Sequence, residues 1–341
     1  MNELRVIDVH THLTPQRYIA TVRTNAKWHG LSEGAGEVTR PRFCLGPEER
    51  LAEMDEIGID MQLVSPTDGF YQYGNDLDTT KAISRDCNDE IAELVNNYPD
   101  RFVGMGTLPM QDVPSAIAEL ERSMTVLGLK GAMISDHVLG RTYDEAEFLP
   151  FWKAAEAMGA IIFFHQGKDT IVNQRLKRYY LENAVGNLTE RALVYGALVF
   201  GGVIDKHPDL KLLLAHAGGY TAFGIDRMDK VAGALEGDAG ARARGYVSPI
   251  DDDVENPHRM FKAPSEYLGH FYFDSCTFTA PALRFLIDIV GIDHVVLGTD
   301  YPAPMIVLDA VNWINGLDCL NAEEKKAILS RNPARLLGID L

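Results

Sequence analysis

Eight short apolar runs, each separated from the next by a stretch of helical periodicity, limit this chain to very few folds. They are Val6 to His12, Met61 to Ser65, Phe102 to Gly106, Lys130 to Ile134, Ala160 to His165, Lys211 to His216, Phe271 to Ser275 and His294 to Asp300. Near-continuous apolar strands are what a parallel sheet covered on both faces requires. The spacing predicts helices over about 47–58, 78–98, 113–127, 145–158, 187–206, 220–235, 280–290, 305–315 and 322–335. A (β/α)8 barrel is the economical closure, and 341 residues suit it as a single domain spanning 1–341. A doubly wound open sheet is the alternative, but no G-x-G-x-x-G loop follows the first run. Two long irregular insertions are expected, at about 13–45 and 236–269, the second carrying the acidic run Asp251-Asp252-Asp253, read as solvated surface.

In such a barrel the functional face lies at the C-terminal ends of the strands. Four of the eight runs end there on potential ligands or bases: His10 and His12 on the first, His165 on the fifth, His216 on the sixth and Asp300 on the eighth. Residues two apart on a strand project to the same face, so His10 and His12 aim at one point. A single histidine ending a buried strand is more often structural. The same placement on several strands is hard to explain by packing, because each buried imidazole or carboxylate needs a partner. Three imidazoles and one carboxylate with a water suit zinc or another first-row divalent ion, iron and manganese being competitors. Such an ion acts as a Lewis acid or lowers the pKa of a water to about 7.

Other features exclude function classes. The net charge of −17 would repel a nucleic-acid backbone, and no Lys/Arg-rich run offsets it. No apolar run approaches the roughly 18 residues of a membrane span, and no basic, apolar leader is present. Cys44, Cys87, Cys276 and Cys319 are scattered without a C-x-x-C pair, which suits a reducing compartment; a cytoplasmic protein is expected.

Five ordered motifs spread over nearly the whole chain resemble the decarboxylase branch of the amidohydrolase superfamily. They are Ile7-Asp8-Val9-His10-Thr11-His12, Phe102-Val103-Gly104-Met105-Gly106-Thr107-Leu108-Pro109-Met110, Ala215-His216-Ala217-Gly218-Gly219, Pro264-Ser265-Glu266-Tyr267 and Leu297-Gly298-Thr299-Asp300-Tyr301-Pro302. The resemblance implies that His10, His12, His165 and Asp300 bind one divalent ion, usually zinc, and that His216 is the base beside it. It also implies two arginines for substrate carboxylates, Arg50 and, across a homodimer interface, Arg227. A guanidinium fork suits a carboxylate, and so acidic a chain needs such a local clamp for an anionic substrate.

Two departures bear on substrate. Muconate-semialdehyde decarboxylases of this branch have His-Pro-Trp where this chain has His165-Gln166-Gly167, and Asp-Tyr-Pro-Phe where it has Asp300-Tyr301-Pro302-Ala303. Both remove a large aromatic wall, so a different ring carboxylate is expected to fit. The expected reaction is nonoxidative decarboxylation of a small aromatic, heteroaromatic or muconate-semialdehyde-type carboxylate in aromatic catabolism, with His216 and Asp300 managing the proton. Hydrolysis of a lactone or amide, or hydration, is the alternative for the same ligand set. Tyr18, Asp136, His137 and Phe278 are further candidates for the pocket wall, Phe278 as a substrate contact.

Overall fold

The computed structural model describes residues 5–34, 38, 40–175, 178–235 and 260–341. Eight parallel strands form its centre: β1 (Ile7–Leu13), β2 (Met61–Pro66), β3 (Phe102–Gly104), β4 (Gly131–Ile134), β5 (Ile161–Phe164), β6 (Lys211–Leu214), β7 (Phe271–Asp274) and β8 (Val295–Val296). They pair in chain order as two arcs, β1 to β3 and β4 to β8. Backbone hydrogen bonds join the arcs at both seams. Gly106 N donates to Gly131 O at 2.9 Å, and Val9 N donates to Leu297 O at 2.9 Å. Gly131 is needed at the first seam, since at its φ of 151° a Cβ would stand 1.9 Å from Ile161 O.

The apolar patterning accounts for this arrangement. All residues of β1, β2, β4 and β5 are buried, as expected for strands covered by helices outside and by side chains inside. Helix boundaries follow local chemistry. Asp76 caps Leu77–Asn97 through Thr79 N, Asp112 caps Val113–Thr125 through Ser115 N, and Gly159, at φ 64°, ends Leu149–Met158. Among the described residues no helix is long and apolar enough to cross a membrane.

Several elements differ from their sequence expectation. The helix expected over 187–206 is two, Asn187–Phe200 and Val203–Lys206, because Gly202 turns left-handed between them. Only Ala310–Asn315 of the expected 305–315 is helical, the chain after Asp300 running irregularly along the cavity instead. The last helix contains a π turn at Ala327–Arg331. The first insertion is less irregular than expected, holding a helix at Gln16–Val22. Of the second, Asp251-Asp252-Asp253 lie outside the described residues, and Pro264–His270 forms a 3-10 helix.

Candidate metal centre

The register of β1 against β2 shifts between Asp8 and Thr11, an irregularity of the kind that re-aims side chains beside functional sites. His10 and His12 follow it into the barrel mouth, with their Nε2 atoms 3.1 Å apart. Two imidazole nitrogens stand that close only if a proton or a cation lies between them. The tautomers decide which atoms hold lone pairs. His10 Nδ1 meets Asp274 Oδ2 at 2.6 Å, so its proton belongs there and Nε2 is an acceptor. Ser65 Oγ, which donates to Thr11 O, lies 3.2 Å from His12 Nδ1 and receives its N–H. That leaves His12 Nε2 as an acceptor too.

Asp300 enters from the end of β8, positioned by its own amide, which donates to His10 O at 2.9 Å. Its Oδ1 lies 3.1 Å from His12 Nε2, 3.3 Å from His10 Nε2 and 3.9 Å from His165 Nε2. Three acceptors therefore face one another at 3.1–3.3 Å. A tetrahedral cation with bonds of roughly 2.0–2.1 Å needs ligand atoms about 3.3–3.4 Å apart. His165 is buried, and among the described residues neither of its ring nitrogens has a hydrogen-bond partner, as suits a metal ligand. The donor set fits a first-row divalent ion held by His10, His12, His165 and Asp300.

Electrostatics agree with this geometry. Burial alone would keep His10 neutral, yet Asp300 and Asp274 raise it to about 10. The two carboxylates thus demand positive charge at this point. Burial lowers His12, and it pushes His165 well below its ordinary value, reinforced by the neighbouring histidines, so both stand as neutral imidazoles. Asp300 would be raised by burial, but His10, His12 and His216 outweigh that and hold it well below the carboxylate range.

His216 follows β6 and meets the other oxygen of Asp300, with Nε2 3.5 Å from Oδ2. Asp300 therefore faces the three imidazoles with Oδ1 and His216 with Oδ2. One ligand atom each from His10, His165, His216 and Asp300 lie within 4.8 Å of one another, so His216 is close enough to join the cluster itself. The His-Ala-Gly-Gly segment is strained to place it. His216 and Ala217 have φ of 55° and 57°, where non-glycine residues are uncommon. At Gly219 a Cβ would lie 2.1 Å from Leu188 O, which accounts for the glycine.

Asp274, at the end of β7, is a candidate site residue that sequence reasoning missed. Besides His10, it accepts the backbone N–H of His216 at 2.7 Å and of Ala217 at 2.8 Å. One buried carboxylate thus orients a ligand imidazole and the strained turn carrying His216. With His10 and Cys276 it makes a second close grouping, but its oxygens are already engaged by these donors. The Cys276 thiol is pushed well up by burial and meets Gly298 O at 3.1 Å.

Two adjoining cavities open onto the cluster and share Asn183, Asn187, Asp300 and Met305. The polar one, about 410 Å³, is lined by His12, His165, Arg40, Gln166 and Lys168, and both departures, Gly167 and Ala303, lie in its wall. The apolar one, about 760 Å³, is lined by His216, Cys276, Phe223, Phe285, Leu286 and the expected Phe278. Arg40 is the cavity arginine that sequence reasoning missed, hidden in an insertion without periodicity to orient it.

Arg50 is not brought to the cavities. It is buried beneath β1, bonded to Gln62 Oε1, His12 O and Thr11 Oγ1, because the helix Pro47–Glu56 turns it inward under the strand rather than over the mouth. Arg227 lies exposed on the helix Thr221–Leu235 and lines neither cavity of its own chain. Tyr18 lies away from the cavities, its hydroxyl donating to Ser32 O and its ring packed on Trp28 and Phe70. Asp136 pairs with the buried Arg191, and His137 bonds Asp169 O, so neither side chain faces the metal cluster.

Known proteins resemble this chain over nearly its whole length. The family profile described as Amidohydrolase matches residues 7–339. The 2-amino-3-carboxymuconate-6-semialdehyde decarboxylase of Dictyostelium discoideum is 30% identical over 98% of this chain and 92% of its own. The crystal structure of 5-carboxyvanillate decarboxylase from Sphingomonas paucimobilis superposes with a TM-score of 0.81 at 26% identity, covering 99% of this chain and 100% of that one. A 5-carboxyvanillate decarboxylase from Novosphingobium aromaticivorans, solved with manganese and 4-hydroxy-3-methoxy-5-nitrobenzoic acid, superposes at 0.79 and 25% identity, covering 98% and 96%.

Proposed function

This chain belongs to the amidohydrolase family, and we propose that within it the protein is a metal-dependent, nonoxidative decarboxylase of a small aromatic, heteroaromatic or muconate-semialdehyde-type carboxylate. The observation that carries this reading is the division of Asp300, one oxygen among three imidazoles and the other toward His216. It separates a cation-binding side from a proton-handling side within a few ångströms. Bound at the first, a divalent ion supplies Lewis acidity to substrate oxygens. We take zinc as the resident ion, with manganese, present in the Novosphingobium relative, or iron as substitutes.

This chain's own residues do the rest. Arg40, which lines the polar cavity together with His12 and His165, is the guanidinium we assign to the departing carboxylate. Arg227 of a second copy completes the clamp in a homodimer. His216 carries a proton at Nε2, kept in line by Asp300 Oδ2, and delivers it to the carbon that loses CO2. The C–C bond breaks, its electron pair ends in the new C–H bond, and CO2 leaves. Phe278 and its apolar neighbours cover the ring and exclude water. The four unpaired cysteines accord with a cytoplasmic setting.

The test is CO2 release from a panel of hydroxybenzoates, hydroxypyridine carboxylates and carboxymuconate semialdehydes. We expect turnover by metal-loaded protein, loss on chelation, and a fall of about 10²–10⁴ in His216→Ala with metal content unchanged. Full activity after chelation, or water addition and ring opening in place of CO2, overturns the assignment.

A further inference from the structure

We infer that Arg50 is a positioning residue of the metal centre, a buried guanidinium that locks together the two strand ends carrying His12 and Asp300. The inference rests on the metal-centre reading but not on any substrate. Arg50 is only 3% exposed. Its Nε donates to Gln62 Oε1 at 2.8 Å, one terminal nitrogen to His12 O at 2.7 Å and the other to Thr11 Oγ1 at 2.9 Å. Its Cζ lies over the Tyr301 ring, 4.7 Å from the centroid. Tyr301 follows Asp300, and its carbonyl accepts the His12 amide at 2.6 Å. One side chain thus touches the carbonyl of one ligand, the residue between His10 and His12, and the residue after Asp300.

The direct hydrogen-bond partners are neutral, which is unusual for so buried a cation. Taking a guanidinium out of water costs several kcal/mol unless its surroundings compensate, and burial pushes Arg50 down to about 10. Stability alone would favour an apolar side chain or a direct carboxylate partner. An arginine here is explained by its rigid fork, which alone spans three acceptors on β1 and β2 while offering a flat face to Tyr301. Tyr301 is pinned in turn by Glu53 Oε2 at 2.7 Å, from the same helix as Arg50. Metal sites tolerate only about 0.5 Å of error in ligand placement, and this assembly holds both sides of the cluster from behind.

Arg50 is reached from outside through a separate cleft of about 230 Å³, lined also by Leu13, Gln16, Pro47, Glu90 and Leu94, none of which borders the catalytic cavities. That cleft makes chemical rescue feasible. The experiment titrates the full-length apoprotein with Mn²⁺ and follows bound ion by electron paramagnetic resonance. Arg50→Ala and Arg50→Lys should keep the far-UV spectrum of the wild type and lose about 10–100-fold in Mn²⁺ affinity. Their bound-ion line shape should differ from that of the wild type. Millimolar guanidinium ion, well below denaturing levels, should restore affinity to Arg50→Ala and not to His12→Ala. If Arg50→Ala does not fold, Gln62→Met removes one acceptor at similar volume and should still weaken Mn²⁺ binding. Wild-type affinity and line shape in the folded Arg50 variants, or in Gln62→Met where those do not fold, overturn the inference. So does a loss of turnover with unchanged Mn²⁺ binding, which puts Arg50 on the substrate. Unchanged binding in His12→Ala as well overturns the metal-centre reading itself.

Discussion

The Asp274 carboxylate lies 2.6 Å from His10 Nδ1, and the same oxygen accepts the His216 amide at 2.7 Å. Burial opposes the charge on Asp274, but the His10 hydrogen bond and the amides of the turn hold it below the ordinary carboxylate range. The ionised form fixes His10 as an Nδ1–H tautomer, leaving Nε2 free to ligate. Asp274→Asn can present its amide to His10 and force the other tautomer. We expect a loss of about 10–100-fold in metal affinity, measured by titrating apoprotein with Zn²⁺ against a chelating indicator. Turnover should fall further than metal occupancy alone explains, because the His216 turn loses its anchor. Unchanged metal binding shows that His10 is oriented by other means.

The candidate site was legible in the sequence wherever a candidate residue coincides with a strand end. His10, His12, His165, His216 and Asp300 each close an apolar run, so topology alone brings them to one mouth. Asp274 occupies the same kind of position, after Phe271-Tyr272-Phe273, and was overlooked because a lone carboxylate there reads as the polar limit of a strand. The arginines were less legible. Which way Arg50 turns depends on how its helix packs against β1 and β2, a tertiary fact that periodicity does not carry. Arg40 sits where no periodicity exists. The break at Gly201-Gly202 was also hidden, since an apolar pattern runs on through it; a Cβ at Gly201 would stand 2.3 Å from Asp144 Cβ.

Substrate size should answer to Ala303. Its amide donates to Asp300 O at 2.8 Å and its methyl lies in the wall of the polar cavity. Ala303→Phe narrows this lobe without touching a ligand. We expect kcat/KM for bulky ring carboxylates to fall about tenfold or more relative to the smallest accepted substrate, with metal content unchanged. Parallel losses on all substrates mean that the ring does not enter this lobe.

His294 gives a pH test far from the metal. It is half-buried, and its Nδ1 lies 3.2 Å from Phe271 O at the start of β7. Burial lowers its pKa, and Arg335 adds to that despite the Phe271 carbonyl. The native state therefore binds fewer protons here than the unfolded chain. The contribution to stability is complete above the ordinary value of 6.5 and is lost as pH falls through the lower native value. His294→Gln should show a shallower decline of urea stability from about pH 7 to about pH 5. An equal or steeper decline excludes His294 as a source of the acid sensitivity.

The dimer reading can be tested at the level of single residues. Phe223 is 83% exposed, and Arg227, four residues on, shares its face of the helix Thr221–Leu235. Phe223 belongs to the rim of the apolar cavity with the exposed Phe278 and Phe285. Aromatic residues left in water around an open mouth suit burial against a second copy, and a two-fold axis there would carry Arg227 toward the partner's site. His216→Ala and Arg227→Ala should each be inactive alone. Mixed and allowed to exchange, half of the dimers become heterodimers in which one site has both His216 and a partner's Arg227. Activity should return to about a quarter of the wild-type level. Phe223→Glu, which puts charge into the shared rim, should yield monomers by sedimentation and abolish the recovery. Failure of the mixture to recover, with each variant folded and dimeric, means that Arg227 serves its own chain or none.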